Sequence, residues 1–111
     1  MDINVNSEGN VTIVALNGNF DIAASQPYDD QLTSLINGGA KRVILDFSEV
    51  AFVASTGLRM ILKTAQRLKD ESGILRICGV NDTVMEVFKM TGFDTILAIF
   101  DSKEKALDGL E

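Results

Sequence analysis

The sequence predicts an α/β fold, a mixed and mostly parallel sheet of about five strands with about four helices packed against it. Short β-branched runs alternate with amphipathic segments of helical period along most of the chain. The connections between them are short, so right-handed crossovers should lay successive strands parallel. The 111 residues are 46% hydrophobic, which suits one core in a single domain over residues 1–111.

An opening hairpin is expected where Ile3 and Val5 lead through Gly9-Asn10 into the β-branched run Val11–Leu16. The segment Ser25–Asn37 sets Tyr28, Leu32, Leu35 and Ile36 on one helical face. Ser25 suits its N-cap, Pro27 a first turn, and Asp29 and Asp30 the positive end of the helix dipole. Asn37-Gly38-Gly39 should stop it. Val43–Asp46 reads as a strand buried on both faces. Thr56–Asp70 is the clearest helix. Leu58, Ile61, Leu62, Ala65 and Leu68 form its buried stripe, and Arg59, Lys63, Gln66, Arg67 and Lys69 face water. Ser72-Gly73 ends that helix and Ile74–Cys78 follows as a buried strand. Asn81 can cap a short helix through Val84, Val87 and Phe88 that Gly92 terminates. Ile96–Phe100 is expected to be the last strand, and Ser102 the cap of a final helix containing Ala106 and Leu110.

Composition narrows the function. The formal net charge is −6 and the basic residues are scattered, which argues against nucleic acid or an anionic membrane as partner. No apolar run approaches the roughly 18 residues that span a bilayer, and Met1–Val5 does not read as a signal peptide. Cys78 is the lone cysteine, more suited to the core than to redox chemistry, and a cytoplasmic setting is expected. The chain has no histidine, which excludes Ser-His and Cys-His catalysis and histidine-ligated metal sites. No phosphate-binding loop or dinucleotide fingerprint occurs, so no cofactor or metal is expected.

The candidate site is the junction Ala54-Ser55-Thr56-Gly57, where strand gives way to helix. Loops after the carboxyl ends of strands are where function collects in such sheets. The first amides of a helix lack internal partners and the dipole there is positive, so a phosphate on Ser55 would meet an anion site. The same residues also suit plain capping, worth about 1 kcal/mol, which on local physics alone is the commoner role.

The junction resembles the signature of the anti-sigma factor antagonist family, the STAS domains. The resemblance runs through Val43-Ile44-Leu45-Asp46-Phe47-Ser48 and Val50-Ala51-Phe52-Val53-Ala54-Ser55-Thr56-Gly57-Leu58. It extends to Gly18-Asn19-Phe20-Asp21, to Leu75–Val80, to Phe88-Lys89-Met90-Thr91-Gly92-Phe93 and to Ala106-Leu107. It implies the STAS fold and a bacterial partner-switching protein without catalytic residues. Unphosphorylated, such a protein binds a serine kinase of the GHKL ATPase type that doubles as an anti-sigma factor. Phosphorylation of the serine matching Ser55 releases it, and a serine phosphatase of the PP2C type restores binding.

Familiar family members have Asp where this chain has Ala54, which removes a carboxylate from the kinase-facing surface. Thr56 matches the neighbouring hydroxyl and is expected to cap the helix. Asp21 matches the family's strand-end aspartate, where it can orient the site or simply satisfy loop amides. Gly57 keeps bulk away from the turn, and Arg59 and Met60 lie off the buried stripe as partner contacts or as ordinary solvated residues. An alternative is a STAS domain that regulates a non-sigma signalling partner. A small hydrolase or nucleotide-binding enzyme using Ser55 would have no histidine as general base.

Overall fold

In the computed structural model, residues 1–110 are described; Glu111, at the end of the expected domain, lies outside the described residues. The elements run β1 (Asp2–Glu8), β2 (Val11–Phe20), α1 (Ile22–Asn37), β3 (Arg42–Val53), α2 (Ser55–Asp70), β4 (Ile74–Cys78), α3 (Asp82–Thr91), a 3-10 turn (Phe93–Thr95), β5 (Ala98–Phe100) and α4 (Lys103–Leu107). The five strands stand in chain order, β1-β2-β3-β4-β5. β1 is antiparallel to β2, and every other pairing is parallel. This is the mixed, mostly parallel sheet that the alternation of elements predicts.

The two faces of the sheet are covered unequally. Val14, Leu16, Val43, Leu45, Phe47 and Ile77 pack beneath α1, α2 and α3, which contribute Tyr28, Leu32, Leu58, Ile61, Leu68, Val84 and Phe88. On the opposite face Val11, Ile13, Ile44 and Cys78 lie under Ala106 and Leu110, at and just beyond α4. Arg76 ties α4 down: its Nη1 donates to the carbonyls of Ala106 (2.9 Å) and Asp108 (2.7 Å). Its guanidinium also lies 5.0 Å from the centre of the Phe100 ring. Burial, with the charges of Asp46 and Glu104 adding to it, pushes the Cys78 thiol up from 9.0 to about 11.

Several boundaries differ from the sequence expectation. α1 begins at Ile22 and its cap is Asp21, whose Oδ1 accepts from the Ala24 amide at 3.1 Å; Ser25 instead donates its hydroxyl to the Asp21 carbonyl at 3.0 Å. Pro27 therefore lies within the helix and leaves the Ala23 carbonyl without its usual amide. Ala23 is exposed, so water can serve that carbonyl. Asp29 and Asp30 are not in the first turn; Asp29 pairs with Lys63 at 3.1 Å, and Asp30 accepts from Gln26 at 2.8 Å.

On α2, Leu62 and Ala65 are only half-buried, whereas Thr64 is buried. Arg67, expected in water, is half-buried and donates to Thr33 Oγ1 at 2.6 Å. The last strand starts at Ala98 because Phe93–Thr95 forms a 3-10 turn, and α4 ends before Leu110. Gly92 stops α3 as expected, in the left-handed conformation (φ 77°) that glycine adopts without strain.

β3 runs past Asp46 to Val53, and its far half is irregular. Asp46 pairs with Ala15 but Glu49 with Asn17, and Val50 pairs with Gly18 but Phe52 with Asn19, so β3 carries an extra residue at each step. The buried positions accordingly pass from Val43 and Leu45 to Phe47, Val50 and Val53. Asp46 holds the first irregularity, its Oδ1 accepting from both the amide and the hydroxyl of Ser48.

Candidate functional site

β3 delivers the candidate residues to the carboxyl edge of the sheet. The Ala54 amide donates to the Phe20 carbonyl at 2.9 Å, closing β3 onto the end of β2 immediately before Asp21. Leu58 then donates to the Ala54 carbonyl at 3.0 Å, the opening bond of α2. The amides of Ser55, Thr56 and Gly57 precede that bond and have no intrahelical acceptor. Ala54 stands at the N-cap and has no side-chain oxygen to offer them. Ser55 is exposed at this start.

Gly57 is required by a close approach. A Cβ on it would lie 2.7 Å from the Phe20 carbonyl oxygen and 2.8 Å from the Phe20 ring. The start of α2 therefore presses on the end of β2, and any side chain at 57 would push the two apart. Beneath them Phe20 packs on Tyr28 with ring centres 4.7 Å apart. The Tyr28 hydroxyl bonds to Thr64 Oγ1 at 2.8 Å, and Thr64 donates to the Met60 carbonyl at 3.0 Å. Since Thr64 spends its proton on Met60, Tyr28 is the donor to Thr64. Burial holds the Tyr28 phenol well above its usual range.

The structure brings Asp21, Ala54, Ser55, Thr56 and Gly57 to this one edge, with Arg59 exposed on the following turn. One expectation needs correction. Thr56 does not cap α2: the helix begins at Ser55, which leaves Thr56 inside the first turn, and its Oγ1 is buried without a hydrogen-bond partner. Met60 is partly exposed, in keeping with its place off the stripe, and its buried part packs against the core under α2. Asp21 commits Oδ1 to the start of α1, as a helix cap and not to the loop amides weighed for it.

Three residues escaped the sequence reading. Ile22 and Phe52 stand exposed beside the junction, and Asn81 does more than cap α3. Its Oδ1 accepts from Val84 at 2.8 Å, while its Nδ2 donates to the Val50 carbonyl at 3.0 Å and so steadies the irregular end of β3. The cap is legible from Asn81 itself; the reach across to β3 depends on the register. Among the described residues, no cluster of three or more cysteine, aspartate or glutamate side chains is arranged to hold a metal ion. No helix among them is long and apolar enough to cross a membrane.

Fold and site together define an α/β domain with an exposed hydroxyl set on an uncapped helix start. The STAS domain profile matches residues 2–106, and the chain belongs to that family. BtrV of Bordetella bronchiseptica is 29% identical over 106 residues, covering 96% of this chain and 91% of that protein. The anti-sigma F factor antagonist of Paenibacillus polymyxa is 28% identical over 112 residues, covering 100% of this chain and 96% of the relative. The solved structure of the Bacillus cell fate determinant SpoIIAA in its phosphorylated form aligns with a TM-score of 0.78 at 20% identity. That alignment covers 99% of this chain and 100% of the other.

Proposed function

We propose that this chain is an anti-sigma factor antagonist controlled by phosphorylation of Ser55. The observation that carries the reading is the exposed Ser55 hydroxyl at the start of α2, where free amides face a residue that cannot cap them. Membership of the STAS family and the name of the Paenibacillus polymyxa relative support the choice of partner class. In this reading the unphosphorylated protein binds a serine kinase of the GHKL type that is also an anti-sigma factor, and a PP2C-type phosphatase resets the switch. The contact surface comprises Asp21, Ala54, Ser55, Thr56, Gly57 and Arg59, with Met60 at its half-buried margin. The chain acts by binding and not by catalysis: with no histidine anywhere in the sequence, Ser55 has no imidazole to serve as its general base.

The switch needs no refolding. A phosphate adds about −1.5 to −2 charges, which the helix start tolerates and favours by about 0.3–1 kcal/mol. Packed against a partner surface shaped for a hydroxyl, the same charge must lose its water, at a cost of several kcal/mol if unpaired. Each 1.4 kcal/mol is about tenfold in affinity, so release follows from local electrostatics alone.

The test is intact-mass spectrometry after incubation with the candidate kinase and ATP. Wild type should gain one phosphate and Ser55→Ala none; full labelling of Ser55→Ala would remove Ser55 from the role. A non-sigma signalling partner is the second reading, favoured by Ala54, which leaves this surface without a carboxylate next to the acceptor. Co-purification of a sigma factor regulator with wild type, and not with Ser55→Glu, separates the two.

A further inference from the structure

Two large apolar side chains stand in water on either side of the Ser55 junction. Ile22 is 75% exposed and Phe52 is 48% exposed. Their segments are bonded to each other: Phe52 pairs in register with Asn19, and the Ala54 amide holds the Phe20 carbonyl. Ile22 is the first residue of α1 after its cap Asp21, and Phe52 lies between buried Val50 and Val53 at the irregular end of β3. Core packing explains neither, because Phe20, Ala24, Val50 and Val53 already fill the space beneath.

One exposed apolar residue needs no explanation. Two flanking one candidate acceptor do, and the other large exposed apolar side chains lie away from it. Met90 is at the end of α3 remote from the cap that touches β3, Val5 is on the edge strand β1, and Ile74 and Ile96 stand at the opposite, amino-terminal ends of β4 and β5, where Ile96 shares a cleft with Leu62, Ala65 and Leu75. The charge pattern points the same way. In a chain of net charge −6, the run from Phe52 to Thr56 carries no ionisable group, and Oδ1 of Asp21, the carboxylate next to Ile22, accepts from an amide of its own helix. A partner docking on this edge meets a strip holding Ile22, Phe52 and the Ser55 hydroxyl, beside the charges of Asp21 and Arg59. Apolar side chains sheltered from water at the centre of an interface are where binding energy concentrates.

We propose that Ile22 and Phe52 are the apolar anchors of the docking surface, and that the anti-sigma kinase presents an uncharged, apolar pocket to them. The inference rests on the reading of the previous subsection and adds a division of labour to it. Ile22 and Phe52 supply affinity in either phosphorylation state, and Ser55 supplies control. Continuity with the Ser55 site commits the strip to this partner and not to a second copy of the chain.

The experiment measures binding of purified kinase to wild type, Ile22→Ser, Phe52→Ser, Phe52→Leu and Met90→Ser by calorimetry, with Ser55 phosphorylation followed in parallel. Thermal melting of each variant checks that it is folded. Ile22→Ser and Phe52→Ser should each bind about tenfold or more weakly, Phe52→Leu should lose less, and Met90→Ser should match wild type. Sedimentation of the antagonist alone should give the same mass for wild type and variants. Unchanged affinity for both serine variants, with Ser55 still phosphorylated, overturns the anchors and leaves the proposed function standing. An equal loss in Met90→Ser, or a wild-type dimer that Ile22→Ser dissolves, also overturns them. A wild type that kinase neither binds nor phosphorylates overturns both.

Discussion

The starts of α1 and α2 lie side by side, joined through the Ala54 amide and the Phe20 carbonyl, yet they are finished in opposite ways. α1 is closed by its own chain, with Asp21 accepting from Ala24. α3 and α4 are closed likewise, by Asn81 and Ser102. α2 begins on Ala54, with no side-chain oxygen to close it, although it is one of the two longest helices. A capped start has consumed its electrostatic potential internally; an uncapped one keeps it for something arriving from outside. The contrast separates a residue that builds the fold, Asp21, from one that leaves the fold open to control, Ala54.

The harshest way to break the contrast is to force the two starts apart. Gly57→Ala puts a methyl group against the Phe20 carbonyl, and stability should fall by about 1–3 kcal/mol in urea unfolding. Phosphorylation of Ser55 should fall with it, since the acceptor moves with the helix. Asp21→Ala removes the cap of α1 and should cost about 1 kcal/mol, read as a lower melting temperature. Ala54→Asp should work in the other direction, closing α2 and stabilising the unphosphorylated protein by about 0.5–1 kcal/mol. In that variant the stabilisation conferred by phosphate on Ser55 should disappear, because the amides are already taken. Phosphorylation of wild type is the mildest change, expected to raise stability by about 0.3–1 kcal/mol.

A last comparison sets the site edge against the core at alkaline pH. Cys78 is held as a thiol to about 11, whereas in the unfolded chain it ionises near 9.0. A pKa raised by folding contributes stability that is complete below the unfolded value and fades as pH rises through the folded one. Unfolding free energy should therefore decline between pH 9 and 11, and Cys78→Ala should flatten that decline without touching Ser55 phosphorylation.

The alternation of strands and helices, the central helix and the Ser55 junction are legible because each depends on periodicity or on contiguous residues. Leu58, Ile61 and Leu68 announce α2 at any register, and Asn81, Ser102 and Gly92 act within their own turns. What stayed hidden depends on contacts between distant segments. The two extra residues in β3 are set by pairing with β2, and they decide that Val53 is buried while Phe52 is exposed. Ile22 could not be placed while α1 was expected to start at Ser25, and Pro27 encouraged that late start because it favours a first turn. Thr56 lies two positions past the cap: with Ser55 as the first helical residue, the capping position belongs to Ala54.

The spatial order of the strands is also their order in the chain. During synthesis, each strand that emerges finds its one earlier neighbour already made and lying at the open margin of the sheet. No strand has to be threaded between two that are paired, so assembly can proceed by addition from β1 toward β5 with every intermediate a smaller version of the finished sheet. Ser55 follows β3 in that sequence, and the first turn of its helix can close on Phe20 at the end of β2 before β4 has left the ribosome.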